Sequence, residues 1–459
     1  MHRGSAFLTF CIGVLLAVSS AGAANAQTSL RSVPAGKPAD VTLNRPPAGA
    51  KYCTFGDDRI CGPTRSYGPW QVDESLQSPA CTVHFCVHWV DRTRDAPHLN
   101  DLDGDGAPNF VELVLDRAER SYAVMVGQLG WEPPLPDAGK GGDDRTDFYL
   151  FNTDLNTRAN ALALADRNAD QSSGWIILDD DYDDPTFHGD SPKRVLEYFV
   201  PHELNHIFQI GYTTTLDAWY YEATAEWMGS VVYPHPQFYA FIAGLPGTSS
   251  QPIFRFGYRS YAFSTWNAWL AGRISPDVIR RVWELADSYR RPGRQSTAIL
   301  DRAIGGISGG STNFGREFLR YATATAEWSA RDFESGQHTE AIQRVGALHP
   351  GDGPSKSHLA QSAWALLDVD LDRGAANYTL SVEVKRETPA GIALIGRRGD
   401  RVVRAIADLP EGGAGTVTLE APEGGFRRLT AVLVNTEIRH KDYSKEGGLP
   451  GFLAQVSAG

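Results

Sequence analysis

The chain has 459 residues, 42% of them hydrophobic, with 43 Lys and Arg against 55 Asp and Glu, a formal net charge of −12. That length exceeds one average core, so two or three domains are expected. The acidic balance argues against a nucleic acid or an anionic bilayer as partner, either of which selects a basic face, and no stable membrane association is expected.

The first residues read as a targeting segment. "MHRGS" carries positive charge, "AFLTFCIGVLLAV" is a short apolar run, and "ANA" precedes Gln27 as a small-x-small cleavage site. The expectation is a signal peptide over 1–26, cleaved after Ala26, and a secreted mature chain, extracellular or periplasmic. Residues 27–75 are rich in Pro, Gly and Ser and read as an irregular arm. Cys11 belongs to the leader, which leaves Cys53, Cys61, Cys81 and Cys86, an even set that reads as two disulfides in an exported protein. "CTVHFCVHW" alternates as a strand; if extended, it holds Cys81 and Cys86 roughly 16 Å apart at about 3.3 Å per residue. That reading disfavours an 81–86 bridge and favours cross-pairing with Cys53 and Cys61.

"DLDGDGAPNFVE" follows the twelve-residue calcium loop. Asp101, Asp103 and Asp105 supply oxygens, Gly106 the sharp turn, Asn109 position nine and Glu112 position twelve. The incoming segment is strand-like and Pro108 holds position eight, which suits one structural Ca²⁺ site better than a paired regulatory hand. "PNFVELVLDRAERSYAVMVGQLGW" carries a helical stripe opened by Pro108, and "TDFYLFNTD" and "GWIILDDD" read as strands. "LDDDYDD", residues 178–184, reads as a solvated acidic loop, with a second cation site as the alternative.

In "PHELNHIFQ" His202 and His206 stand four residues apart, so on a helix both imidazoles project from one face and reach one ion. Glu203 sits beside that face, placed to take a proton from a metal-activated water. A catalytic Zn²⁺ needs a third protein ligand. "LDAWYYEATAEW" offers Glu222 and Glu226, one turn apart on a second helix that Asp217 would cap. One carboxylate as ligand and the other as acceptor for an imidazole N–H accounts for both. Either could be the ligand, and Ala223 and Ala225 would let the helices pack closely. Pro201 either kinks the helix arriving from "RVLEYFV" or opens a new one. The competing view of the stretch is an ordinary buried helix pair.

Helical patterns follow in "YRSYAFSTWNAWLAGR", "SPDVIRRVWELADSYR" and "TNFGREFLRYATATAEW". Beyond the joint "HPGDGPSKS" the chain becomes short alternating strands, "SAWALLDVDL", "NYTLSVEVKR", "GIALIGRR", "RVVRAIADL", "GTVTLEAP" and "LTAVLVNTEI". The fold class read from this order is α+β: a metal-binding domain over 76–350, then an all-β sandwich over 355–459.

The ordered set "VHFCVHW", "LNDLDGDGAPNFVE", "VPHELNHIFQ" and "WYYEATAEW", within 80–330, resembles the gluzincin metallopeptidases and, inside that clan, a family of secreted bacterial enzymes. The resemblance implies a zincin-like catalytic domain, with His202, His206 and Glu222 on zinc, Glu203 as general base and Glu226 behind the ligands. It also implies a Tyr or His that donates to the transition state, for which Tyr212, Tyr258, Tyr261 and His235 are candidates. The implied function is a zinc-dependent endopeptidase acting on protein or peptide. The alternatives are a calcium-stabilised binding or adhesion protein with a non-proteolytic zinc site, and a zinc hydrolase of another amide.

Overall fold

The computed structural model describes residues 42–43, 77–153, 161–166, 169–183, 191–234, 251–257, 259–287, 296–328, 344–439 and 448–459. The leader, Cys53, Cys61 and nearly all of the arm lie outside them. The chain forms two compact units, one of residues 29–214 and 225–235, the other of 215–224 and 236–459. None of its described helices is long and apolar enough to cross a membrane.

The first unit is built on a mixed sheet. Its strands are β1 (Thr42–Leu43), β2 (Ala80–Cys81), β3 (Phe85–His88), β4 (Thr146–Leu150), β5 (Ala161–Ala165) and β6 (Gly174–Leu178), in the order β1-β2-β3-β4-β6-β5. β3, β4 and β6 run parallel and the outer strands antiparallel. Helix α1 (Asn109–Tyr122) lies between β3 and β4 in the chain and makes the crossover that parallel strands require. Helix α2 (Pro192–Tyr212) packs on β5 and β6. Gly174 permits this: a Cβ there would stand 2.7 Å from the Ile210 side chain and 2.4 Å from the Leu164 carbonyl.

The extended reading of "CTVHFCVHW" is corrected. Thr82 N–H bonds to Phe85 O at 2.9 Å, Val83 and His84 form a two-residue turn, and Cys81 is paired in register with Cys86. The two cysteines form a disulfide, with Cα atoms 4.1 Å apart. Helix α1 holds the turn in place: Glu119 accepts the His84 backbone N–H at 3.0 Å and meets its Nδ1 at 2.7 Å, while Tyr122 stacks on the imidazole.

The second unit joins helices to a β-sandwich. Helix α3 (Ala218–Val232) contributes its first half; α4 (Arg259–Ala262), α5 (Ser264–Arg273), α6 (Asp277–Asp287), α7 (Ser296–Ile307) and α8 (Phe314–Thr325) follow. All six quoted strand patterns form strands: β9 (Ala363–Val369), β10 (Asn377–Val384), β11 (Ala390–Arg398), β12 (Arg401–Leu409), β13 (Gly413–Glu420) and β14 (Arg428–Asn435). β7 (Gly346–Leu348), β8 (Ser355–His358) and β15 (Gly451–Ala458) complete two sheets, β13-β10-β15-β8 and β12-β11-β14-β9-β7. Alternate residues of β10, Tyr378, Leu380, Val382 and Val384, point into one core with Leu394 of β11 and Leu433 of β14. Helices 259–325 group with these strands, so the joint expected near 350 does not divide them. The contact responsible is close: a Cβ at Gly391 of β11 would stand 2.6 Å from Leu319 of α8, and Phe318 meets Trp364 edge-on at 5.7 Å.

Candidate metal centre

Helix α2 runs unbroken through Pro201, so Pro201 neither starts a new helix nor ends the old one. It removes the backbone bond that residue 201 would give to Glu197, at a position where tertiary packing must outweigh the local cost. His202, Glu203 and His206 follow on this helix, each 1% exposed. Asp217 stands directly before α3, and its carboxylate accepts both the N–H and the hydroxyl of Ser296, at 3.0 and 2.6 Å. Glu222 is 1% exposed and Glu226 fully buried, one turn further along this continuous helix. Ala223 and Ala225 are fully buried beside them.

His202, His206 and Glu222 each present a ligand atom, and these three atoms lie within 4.8 Å of one another. The two imidazole rings stand edge to face, 4.9 Å between centroids. Glu226 Oε2 lies 3.2 Å from His202 Nδ1, and the Tyr198 hydroxyl donates to the same carboxylate at 3.2 Å. His206 Nδ1 meets Gln209 Oε1 at 2.8 Å; the Gln209 amide is oriented by its own donation to Asn205 Oδ1 at 2.7 Å. An amide oxygen only accepts, so a neutral His206 ring carries its proton on Nδ1 and its lone pair on Nε2, and at His202 the Glu226 carboxylate stands at ion-pair distance from Nδ1. Two histidines, each with an oxygen facing Nδ1, beside a carboxylate make a donor set that fits Zn²⁺.

The candidate transition-state donors divide. The Tyr212 hydroxyl accepts the Glu132 backbone N–H at 2.8 Å, which ties the end of α2 to the loop after α1. Tyr261 lies buried in α4, and Tyr258 and His235 fall outside the described residues. A tyrosine that sequence reading passed over is Tyr182. It is 1% exposed, stacks on Phe199 one turn before Glu203, and takes a backbone φ of +56° while Asp179 accepts its N–H at 2.8 Å. Burial, then the charge of Asp179 and also that of Glu203, push its phenol well above the usual range.

Asp101, Asp103 and Asp105 converge, with one oxygen of each within 4.8 Å of the others on an exposed loop. Asp101 accepts the N–H of Gly104 and Gly106 at 2.7 and 2.9 Å, which lowers its pKa. Gly106 has φ +95°, open to glycine, as the sharp turn requires. Asn109 Oδ1 accepts Leu102 N–H at 2.9 Å. Glu112 lies outside the group of three, and its pKa is raised by burial and then by Asp103, Asp105 and Asp101.

Two acidic features depart from the sequence reading. Asp179 and Asp180, expected in a solvated loop, are each 1% exposed. Asp179 accepts both the N–H and the hydroxyl of Thr153, while burial, Asp179 and Asp181 raise Asp180 to about 8. Asp179, Asp180 and Asp181 form a further group with cation-binding spacing. A separate buried cluster had no motif to announce it. His88 Nε2 meets Asp147 Oδ1 at 2.7 Å, and Lys140 Nζ pairs with Asp166 at 2.7 Å. Asp137 accepts the N–H of Gly139 and Lys140, both at 3.0 Å. Burial, reinforced by Asp147 and Asp166, raises Asp137 to about 8, and burial lowers His88 to about 4.

No family model matches the chain, and no curated protein matches it either.

Proposed function

We infer that the chain is an exported zinc-dependent endopeptidase of gluzincin type, carrying structural calcium. The observation that carries this reading is the convergence of His202, His206 and Glu222 within 4.8 Å, with Glu226 and Gln209 at the two Nδ1 atoms. Glu222 is taken as the third ligand because it joins that group, while Glu226 faces His202 Nδ1. Zinc, when bound there, supplies Lewis acidity to a peptide carbonyl and acidity to a water. Glu203, next to His202 on α2, accepts the proton of the attacking water and returns it to the leaving nitrogen. Glu226 and Gln209 hold the imidazoles in orientation. The calcium reading rests on the converging Asp101, Asp103 and Asp105, and export rests on the residue pattern of 1–26.

One observation favours a second reading. Every side chain of the group is within 1% of full burial, as suits a metal that ties two helices together without admitting a substrate. Mass spectrometry of a mixed peptide library separates the two, using the chain from Gln27 onward as wild type and Glu203→Gln, with and without chelator. Peptide cleavage by wild type alone, abolished by chelator, is the result expected of the enzyme. Zinc retained by both proteins with no cleavage by either would leave the structural reading.

A further inference from the structure

Arg259 opens α4 and is 8% exposed. Its guanidinium lies over the Phe263 ring, 5.5 Å from the centroid, and Nη1 reaches Gln251 Oε1 in a long hydrogen bond of 3.4 Å. Nε and Nη2 are buried and have no hydrogen-bond partner, and no Asp or Glu among the described residues pairs with this side chain. The contrast with Arg117, equally buried, is instructive: that side chain meets both Asp116 and Glu197. The neighbouring cation, Arg255, has the wrong sign to balance Arg259, and the Tyr321 phenol opposes it with a smaller effect than either that charge or burial. Burial, and then Arg255, lower the guanidinium to about 10.

A cation removed from water without an anion is costly, and an aromatic face offsets only part of that cost. The identity of the two unsatisfied atoms indicates what completes the site. Nε–H and Nη2–H lie on one edge of the planar guanidinium and point the same way, which is the edge that meets both oxygens of a carboxylate. One buried positive charge also suits a singly charged planar anion better than a phosphate, which brings more charge and a tetrahedral array of oxygens.

We propose that Arg259 is a carboxylate-binding site, in which a ligand's two oxygens accept Nε–H and Nη2–H together while Gln251 holds Nη1 and Phe263 forms the floor. The ligand is a carboxylate borne either by a peptide or by a small free organic acid. A peptide source would be near α3, because Phe263 in turn meets Trp219, one turn before Glu222, edge-on at 5.9 Å. The site does not depend on the peptidase reading, and its test reads binding alone.

The full mature chain would be prepared as wild type, Arg259→Met and Arg259→Lys. Each is titrated at constant ionic strength with sodium acetate, sodium phosphate, a short peptide with a free C-terminus, and the same peptide amidated, following melting temperature and heat of binding. Carboxylates raise the melting temperature of wild type, and both variants bind at least tenfold more weakly, Lys included because it lacks the fork. A free peptide that outbinds both acetate and its amidated form identifies a peptide carboxylate as the source; acetate binding as tightly as the free peptide identifies a small acid. Carboxylates that leave wild type unmoved, or shift it and the Lys variant alike, overturn the proposal. Phosphate binding more tightly than every carboxylate does so too. If Arg259→Met does not fold, the Lys comparison decides.

Discussion

Glu226→Gln keeps the shape of a fully buried side chain and removes its charge. The carboxylate lies 3.2 Å from His202 Nδ1 and accepts the Tyr198 hydroxyl. An amide oxygen can still face the imidazole, and the amide nitrogen can donate to the Tyr198 oxygen, so the packing survives. What is lost, on the proposed zinc reading, is the charge of an acceptor 3.2 Å from an imidazole that would hold the metal, worth at most one charge-assisted hydrogen bond. Hydrogen bonds to charged groups contribute about 1.5–3 kcal/mol against about 0.5–1.5 for neutral ones, a difference on the order of 1.4 kcal/mol. That converts to roughly tenfold weaker zinc binding, at the lower edge of the ~10–100-fold range for residues that orient metal ligands. Glu222→Gln, which alters the proposed ligand itself, should weaken zinc by a larger factor. Competition against a zinc-binding dye at neutral pH, with circular dichroism to confirm folding, measures both. Wild-type affinity in Glu226→Gln would refute the orienting role, and a larger loss there than in Glu222→Gln would make Glu226 the ligand.

Two further outcomes follow from the acidic groups. Asp137, raised to about 8 from an ordinary value of 3.8, keeps its proton in the folded chain between about pH 4 and 8, while the unfolded chain has lost it. Its contribution to stability is therefore present below pH 4 and lost as pH rises to 8, with a slope of up to about 1.4 kcal/mol per pH unit. Denaturant melts of Asp137→Asn across this range should fall off less steeply than wild type; parallel curves would contradict the assignment. Calcium should raise the melting temperature of wild type, by an amount equivalent to about 2.7 kcal/mol at one hundred times its Kd. Glu112→Gln should abolish that shift and leave the calcium-free melting temperature in place, whereas an undiminished shift would remove Glu112 from the site.

The features that sequence reading recovered are those with a period. His202 and His206, and Glu222 and Glu226, repeat at one helical turn, and each pair lies buried on its helix. The alternation of "NYTLSVEVKR" or "RVVRAIADL" is a property of a two-faced strand and translates directly into β10 and β12. The features that were missed depend on what a residue touches. Val83 and His84 make a hairpin turn without Gly, Pro or Asn, and are held there by Glu119 and Tyr122, which lie far along the chain. Asp179 and Asp180 read as solvated because acidic runs usually are, yet Thr153 and Asn152 receive them in the interior. Pro201 left a kink or a new helix start open, and α2, packed on β5 and β6, runs through it without a new start. Tyr212, a candidate donor for catalysis, accepts the Glu132 N–H through its hydroxyl, a contact no local pattern announces. Arg259 belongs to no motif, and only its two buried nitrogens without a hydrogen-bond partner draw notice.

Which atoms would meet the metal decides between Glu222 and Glu226 as the third ligand. Crystals of the chain grown with zinc, measured on both sides of the zinc absorption edge, would show this in one anomalous difference map. The account predicts a peak within bonding distance of His202 Nε2, His206 Nε2 and a Glu222 oxygen, with Glu226 still facing His202 Nδ1. No peak between α2 and α3, or a peak bonded to Glu226 with Glu222 turned away, would contradict it.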